Sequence, residues 1–361
     1  MKLFSNLWLI LLFFSNLSYS FNAYGQSKYE KSKTIKKEFL VNKNATLSIN
    51  NKYGNLNINT WNKNKIEINI KIIVKGGNLS QVEKKLKSIN IAFKNNTTLV
   101  EAKTNISNSG FSWSWSNRDD ISFRINYFVR MPASNNADFN NTYGNIELGK
   151  IDGKTNINCE YGSIAIEELN NRDNIISLEY CKNSKIDFMK SGNISVDYSK
   201  IKIKNTEDVK VSSDYSNVVI ANSNNLRFTS DYGSITAGNA NTIYGNSDYT
   251  TIRIKNLNRH LDIDTDYASV EVENINKGFE HVTIEGSYAG IRLGVADDSN
   301  FQFKINTSYA SFKYPENHVK MFKSIKKSFS KHYEGVFGVS NNNSQINIHS
   351  SYGRVSLKIN N

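Results

Sequence analysis

Hydrophobic and polar residues alternate along most of this chain, in short runs that repeat around a tyrosine. Side chains expected to face inward lie six, four and two positions before the tyrosine, as Leu261, Ile263 and Thr265 do before Tyr267. Others lie three and five positions after it. A two-residue period indicates β-strand rather than helix. The inward positions have even offsets before the tyrosine and odd offsets after it, so the regular alternation is broken there. Each copy is therefore predicted to be two short strands joined at a tight corner, where a small residue follows the tyrosine.

The number and spacing of these copies decide the predicted fold. They are centred on Tyr53, Tyr143, Tyr161, Tyr198, Tyr215, Tyr232, Tyr249, Tyr267, Tyr288, Tyr309 and Tyr352, with Tyr180 as a variant that has one extra residue. From Tyr143 to Tyr309 the steps are 17 to 21 residues. So short a unit cannot bury its own apolar face, whereas stacking pairs the backbones of successive copies about 4.8 Å apart. The sequence therefore predicts an all-β fold, a single-stranded parallel β-helix (solenoid) with one copy per coil.

The first residues have the features of an export signal. Lys2 provides a short positive start, and the apolar run from Leu7 to Leu17 is too short to span a bilayer. Small residues follow, and cleavage is expected after Gly25. No second apolar run reaches the roughly 20 residues that a membrane helix needs, so no transmembrane segment is expected in the mature chain. The predicted location is exported: periplasm, outer surface or secreted, in a Gram-negative-type envelope.

Three segments are predicted along the chain. They are a signal peptide at 1–25, an N-terminal strand-and-helix capping region with the first repeat at 26–135, and a β-helix repeat domain at 136–361. The capping region contains a helix over 81–89, preceded by a capping-box pattern at Ser80–Glu83.

The repeat is interrupted over 315–344, before the last copy. Phe322, Ile325 and Phe329 in this segment have the spacing of one face of a short basic helix, and a loop is the alternative.

The chain has a formal net charge of +12. This charge fits an anionic partner, namely an acidic glycan, lipid headgroups or nucleic acid, of which export disfavours nucleic acid. The lysines are scattered along the whole chain, so a well-solvated basic surface is the alternative.

Two cysteines fall in neighbouring copies. Cys159 lies two residues before its tyrosine and Cys181 one residue after its own. An offset of three residues along a strand is about 10 Å, which exceeds the reach of a disulfide. Two free, mostly buried thiols are predicted.

An acidic residue precedes the tyrosine in seven successive copies. These residues are Glu160, Glu179, Asp197, Asp214, Asp231, Asp248 and Asp266. When stacked about 4.8 Å apart, neighbouring carboxylates repel by about 1 kcal/mol even in bulk water. A row of calcium ions would offset this repulsion, and the five aspartates are the predicted cation-binding column. The alternative is that each carboxylate bonds the backbone of its own corner, since Ser or Thr takes the position in other copies. No cofactor is predicted.

Two aromatic features are candidates for ligand contact. The tyrosines would form either an exposed strip or an internal ladder of stacked rings, and parity with the inward position two residues earlier favours the internal ladder. Phe111, Trp113 and Trp115 lie on one side of an extended segment near Arg118, which suits a sugar or a protein partner. These four residues are the predicted ligand-binding site, and packing over the end of the solenoid is the alternative.

The repeat units also resemble a known family. Tyr-Gly-x-Ile-x-Ile-type segments such as Tyr53–Ile58 and Tyr143–Leu148, preceded by a signal sequence, resemble the "putative adhesin" family of bacterial envelope β-helix domains, which is related to the head domain of putative autotransporter adhesins. The resemblance covers roughly residues 40–361. It implies a β-helical fold and an extracytoplasmic setting, and it carries no catalytic or binding residues over to this chain.

Sequence motifs for catalysis are lacking. The five histidines show no metal-ligand spacing, and the chain has no phosphate-binding glycine loop or Gly-x-Ser-x-Gly elbow. The leading hypothesis is a non-catalytic, adhesin-like module of the cell envelope that binds a glycan or a protein partner. The alternatives are a structural or assembly component of the envelope and a calcium-dependent polysaccharide-degrading enzyme.

Overall fold

The computed structural model describes residues 28–107, 121–339 and 343–360, which are almost entirely extended. The strands are β1 (Tyr29–Leu40), β2 (Thr46–Lys52), β3 (Leu56–Trp61), β4 (Lys65–Gly76), β5 (Ile89–Asn95), β6 (Leu99–Ile106), β7 (Ser122–Pro132), β8 (Asn136–Thr142), β9 (Ile146–Ile151), β10 (Thr155–Glu160), β11 (Ile164–Leu169), β12 (Asn174–Glu179), β13 (Ser184–Asp197), β14 (Lys200–Asp214), β15 (Asn217–Asp266), β16 (Ser269–Ile275), β17 (His281–Ser287), β18 (Gly290–Ala296), β19 (Phe301–Ser308), β20 (Ser311–Lys313), β21 (Val319–Lys326), β22 (Ser330–Phe337), β23 (Gln345–Ser351) and β24 (Arg354–Asn360). The helical elements of these residues are α1 (Leu79–Ser88) and a 3-10 turn at Glu316–His318. No helix in the described ranges has the length and apolar character needed to cross a membrane.

Strands of successive copies pair in parallel and in register. In β13 and β14, Ile186 lies beside Ile203 and Asp197 beside Asp214, its equivalent one copy further along. The described strands join into one long sheet that does not close. The predicted all-β class and the stacking of tyrosine-centred copies are therefore confirmed.

The core lies between the strands before and after each corner. Alternate residues of β14 are buried, as Ile201 and Ile203 are at its start and Val209 and Val211 further along. The two-residue period that predicted strands is thus the period of burial. β15 spans 50 residues and includes the corners of Tyr232 and Tyr249, where the chain turns without a break between the strands.

The last copy lies inside the stack. β23 pairs in parallel with β17 on one side and with β19 on the other, and β24 lies between β18 and β20 in the same way. The copy of Tyr352 therefore separates the copies of Tyr288 and Tyr309. The order of copies in the sequence does not predict this arrangement. After β20 the chain forms β21 and β22, of which β22 pairs with one edge of β19, and it then returns as β23 to lie between β19 and β17.

The N-terminal part combines both kinds of pairing. β1, β4 and β7 are antiparallel neighbours, while β7 also pairs in parallel with β3. α1 packs against β1 and β4 and buries Val82. Its cap is Asn78, whose side-chain oxygen accepts a hydrogen bond from the backbone N–H of Gln81 at 3.2 Å, so the cap lies two residues before the predicted capping box.

The segment predicted as a short basic helix or a loop is a β-hairpin. β21, which contains Phe322 and Ile325, pairs antiparallel with β22, and β22 pairs antiparallel with β19. The helical prediction was wrong because the free edge of β19 offers backbone hydrogen-bonding groups, and pairing with them satisfies the segment as a strand.

Cys159 and Cys181 are free and buried. The estimate of about 10 Å between them assumed a straight strand. The chain turns at each tyrosine instead, and the Sγ of Cys181 donates to the Cys159 carbonyl at 3.1 Å. The hydrogen bond with the Cys181 thiol, together with burial, raises the pKa of Cys159.

Candidate functional site

The tyrosine at each corner has a left-handed backbone conformation. Its φ lies between 50° and 62° in all twelve copies. A residue with a Cβ pays roughly 1–2 kcal/mol for this conformation. The turn directs the ring outward and places the following residue, such as Ser199 or Ser216, in the interior. The prediction of an internal tyrosine column was wrong for this reason. It assigned inward and outward sides by strict alternation, which assumes an extended backbone at every residue.

The twelve rings form one continuous stack, called here the tyrosine ladder. Its members, in spatial order, are Tyr53, Tyr143, Tyr161, Tyr180, Tyr198, Tyr215, Tyr232, Tyr249, Tyr267, Tyr288, Tyr352 and Tyr309. Neighbouring ring centroids are 4.7 to 5.1 Å apart and neighbouring planes are within 17° of parallel. The predicted single file of tyrosines is confirmed.

A phenylalanine covers each end of the tyrosine ladder. Phe123 lies edge-on to Tyr53 with the ring centroids 5.0 Å apart, and Phe329 stacks on Tyr309 at 4.7 Å. Every ring face within the ladder is therefore in contact with another ring.

The rings are accessible at their edges. Each tyrosine is between 40% and 55% exposed. Since the faces are covered, the ladder presents ring edges and phenol oxygens to solvent, at the spacing of the strands. Such a surface can hydrogen-bond and make edge contacts along its whole length, but it offers no open ring face on which a sugar could stack.

The seven acidic residues that precede the tyrosines form a parallel row, called here the carboxylate file. Register pairs Glu160 with Glu179, Glu179 with Asp197, Asp197 with Asp214, and Asp214 with Asp231. None of the seven takes part in an ion pair with a described Lys, Arg or His. The carboxylate file is therefore a strip of unneutralised negative charge on a basic protein.

Electrostatic effects link the carboxylate file to the ladder. Burial raises the pKa of Asp197, and the neighbouring Asp214 carboxylate raises it further. Burial, adjacent tyrosines and nearby carboxylates likewise raise the pKa of Tyr161 and of Tyr249. These phenols stay protonated at neutral pH and can donate hydrogen bonds beside acceptor carboxylates.

The other side of the ladder is bordered by amides and hydroxyls in several copies and by Lys182, Lys200 or Arg354 in others. The side-chain oxygen of Asn145 accepts from the Ser163 hydroxyl at 3.0 Å, and that of Asn217 accepts from the Ser234 hydroxyl at 2.7 Å. These bonds join side chains of neighbouring copies two residues after the tyrosine, so the polar rows on both sides follow the ladder.

The predicted ligand residues have different outcomes. Asp197, Asp214, Asp231, Asp248 and Asp266 are brought into one row, and calcium binding by them stays a prediction. No group of three or more His, Cys, Asp or Glu within the described ranges is arranged to hold a metal ion. Phe111, Trp113, Trp115 and Arg118 lie outside the described residues. Their role in binding also stays a prediction.

Sequence reasoning missed the exposure of the tyrosine ladder. The signal that could have revealed it is the small residue after each tyrosine, as in the buried Gly54, where an added Cβ would lie 2.0 Å from the carbonyl oxygen of Ile125. A position that crowded belongs to the interior, so the preceding tyrosine must point out.

No protein-family model and no curated protein matches this chain. Among solved structures, a "putative cell adhesion protein" from Clostridium sporogenes is 11% identical, with a TM-score of 0.18 over 91% of this chain and 100% of that one. A "putative adhesin" from Bacteroides fragilis is 11% identical, with a TM-score of 0.19 over 90% and 97%. Another from Parabacteroides merdae is 11% identical, with a TM-score of 0.26 over 90% and 96%. Likeness at this level supports no conclusion about fold or function.

Proposed function

We propose that this chain is an exported, non-catalytic, adhesin-like module of a bacterial cell envelope, and that the tyrosine ladder is the face with which it binds a glycan or a protein partner. The observation that carries the proposal is the continuity of the ladder. Twelve half-exposed aromatic side chains form one unbroken strip, whereas monomeric soluble proteins rarely expose large contiguous apolar surfaces without a functional reason.

The energetics of the corner support a role beyond folding. A left-handed tyrosine costs roughly 1–2 kcal/mol, and each stacked aromatic pair returns about 0.5–1.5 kcal/mol. These terms nearly cancel. Glycine or asparagine adopts the same conformation at lower cost. A corner selected for stability alone would therefore not need tyrosine in every copy.

The borders of the ladder define the class of ligand. The carboxylate file accepts hydrogen bonds and attracts positive charge, and the amide and hydroxyl row on the other side both donates and accepts. An extended ligand with repeated hydroxyl groups, or a protein segment with Lys or Arg, satisfies both borders. The carboxylate file disfavours acidic polymers on its own side of the ladder, although the chain as a whole is basic.

The finer architecture is part of the proposal. We propose that the stacked copies wind as a single-stranded parallel β-helix, with 136–361 as the repeat domain and 26–135 as its cap. Parallel pairing of each strand with its equivalent one copy away supports the winding. Export through a signal peptide at 1–25 belongs to the same proposal.

The aromatic segment before β7 is proposed as a second contact. It contains Phe111, Trp113, Trp115 and Arg118. Ile121, the first described residue after it, lies two residues before Phe123, which contacts the end of the ladder. A ligand lying along the ladder would reach this end of the molecule.

Binding to a glycan array and to purified envelope polymers tests the proposal. The ladder variant Tyr215→Asn with Tyr232→Asn keeps a residue that tolerates the corner and removes two rings. It is expected to weaken binding by about tenfold or more, as loss of central aromatic contacts does. The matched control is Tyr244→Asn, which removes a tyrosine that is 36% exposed but lies outside the ladder.

Two further results would decide against the proposal. One is the absence of binding to every polymer tested, which would favour a structural or assembly role. The other is an equal loss of binding in the Tyr244→Asn control. Trp113→Ala and Trp115→Ala test the second contact separately, since neither alters the described ladder.

A further inference from the structure

The hairpin of β21 and β22 exposes large apolar side chains at one end of the stack. Phe322 is 60% exposed, Ile325 42% and Phe329 63%. The turn between the strands is closed by the Lys327 N–H, which donates to the Ser330 carbonyl at 2.9 Å. Phe329 stacks on Tyr309, whereas Phe322 and Ile325 do not pack against the hydrophobic core, so these two side chains indicate a contact surface.

The same hairpin is strongly basic. It contains Lys320, Lys323, Lys326, Lys327 and Lys331. Its one acidic residue is Glu334, which contacts His332 at 2.7 Å. None of the five lysines forms an ion pair with another described residue. Glu334 lies opposite Lys323 and partly offsets its charge, so the charge of the other four lysines is available to a partner.

We infer that the tip of this hairpin docks on the surface of an anionic lipid bilayer. Lysines near such a surface are attracted by the anionic headgroups. Exposed aromatic and aliphatic side chains between them can enter the interfacial region while the lysines remain at headgroup level. The alternation of these two residue types within one short hairpin matches both layers of the membrane surface.

Pairing with a strand of another protein is the competing use of this edge. β21 pairs with β22 and leaves its second edge without a partner among the described strands. However, the pairing of β21 with β22 has an irregularity, a bulge, between Met321 and Lys323. Lysines lie on both sides of that bulge. Bulges and lysines on an edge strand are devices that prevent strand addition. The edge is therefore unsuited to a β-partner and compatible with lipid.

Docking through the hairpin leaves the proposed binding face free. Phe329 stacks on Tyr309, the last ring of the tyrosine ladder, so the hairpin lies at the end of the ladder. Contact with a membrane there would leave the length of the ladder open to a ligand. The inference stands on the hairpin alone and does not depend on the function proposed for the ladder.

Vesicle co-sedimentation tests the inference, with neutral phosphatidylcholine vesicles and with vesicles that also contain phosphatidylglycerol. The full chain is expected to bind the anionic vesicles at low salt and to dissociate as salt rises. Phe322→Ser with Ile325→Ser, and separately Lys326→Gln with Lys327→Gln, should each weaken binding by about tenfold. The controls are Phe128→Ser, which removes an aromatic residue that is 46% exposed on β7, and Lys202→Gln with Lys204→Gln, which removes two exposed lysines of β14.

A site-specific probe separates the hairpin from the apolar segment near Leu7, which can itself bind lipid. An environment-sensitive fluorophore on Ser328→Cys should brighten and shift to shorter wavelength with anionic vesicles. The same fluorophore on Ser212→Cys, an exposed position in β14, should not.

Three outcomes would overturn the inference. They are no response of the Ser328→Cys probe to anionic vesicles, equal losses in the control variants, and self-association without lipid that Phe322→Ser abolishes. The last would assign the hairpin to contact between copies of this chain.

Discussion

At each corner a tyrosine adopts a conformation that a smaller residue would adopt at lower cost. The backbone strain at each tyrosine is offset by stacking of its ring on the rings above and below. The stability of one corner therefore depends on the whole row of tyrosines. The carboxylate beside each corner also belongs to a row, but there the neighbours repel. Stacking identical residues therefore stabilises the aromatic row and destabilises the acidic one.

We predict that Asp197→Asn stabilises the fold at neutral pH, by a few tenths to about 1 kcal/mol. Burial and the Asp214 carboxylate raise the pKa of Asp197 above 3.8. The ionised form is then less favourable in the fold than in the unfolded chain, so this cost is present above the raised pKa and disappears below 3.8. Urea unfolding should show the gain at neutral pH and none in strong acid.

The matched control for this prediction is Asp262→Asn. Asp262 is exposed in β15 and lies beside Thr283 instead of another carboxylate. An equal gain in both variants, or a loss of stability in Asp197→Asn, would contradict like-charge repulsion in the carboxylate file. A loss would instead indicate that Asp197 holds its own corner through hydrogen bonds.

Among the elements, β23 has the most unusual position. It supplies the partners of two strands that are neighbours in the sequence pattern but not in space, β17 and β19. β19 in turn supports β22 and the basic hairpin. β23 therefore holds in place the strand on which the hairpin of β21 and β22 is built.

We predict that Ile348→Ala, in β23, costs about 2–4 kcal/mol, since the side chain is 2% exposed and its loss leaves a cavity between two coils. Ile175→Ala is the control, because Ile175 is 52% exposed and its truncation should change stability by no more than about 0.5 kcal/mol. Urea unfolding compares the two. Similar effects would mean that β23 is not an integral part of the core.

How far the sequence predicts the structure depends on what each residue contacts. The strands of the repeat were predictable because burial at Ile201 and Ile203 follows a local two-residue period. The hairpin at Phe322 and the insertion of Tyr352 were not, since both depend on a free strand edge created elsewhere in the fold. The tyrosine row of the candidate site was predictable from spacing, whereas its exposure depends on one backbone angle.

For the whole molecule, each interior copy has a neighbour on both sides and each end has one. Stability in such stacks is close to a sum over copies and their interfaces, so it should be greatest in the middle and least at the ends. This gradient places the central rings of the tyrosine ladder in the most stable part of the molecule and its end rings in the least stable parts.

We predict that hydrogen–deuterium exchange follows this gradient. The backbone N–H of Tyr198 donates to the Asp214 carbonyl at 3.0 Å, and that of Tyr215 donates to the Asp231 carbonyl at 2.9 Å, within the interior of the stack. Peptides that cover these amides should exchange slowest and those from β21 fastest. Uniform exchange along the chain would contradict the nearest-neighbour account.

The insertion of the copy of Tyr352 between those of Tyr288 and Tyr309 has a consequence for biogenesis. β23 is synthesised after both β17 and β19, and until it is present these two flanking strands lack the strand that joins them. A polypeptide that stops before Tyr352 can therefore assemble its earlier coils but cannot complete the aromatic row between Tyr288 and Tyr309.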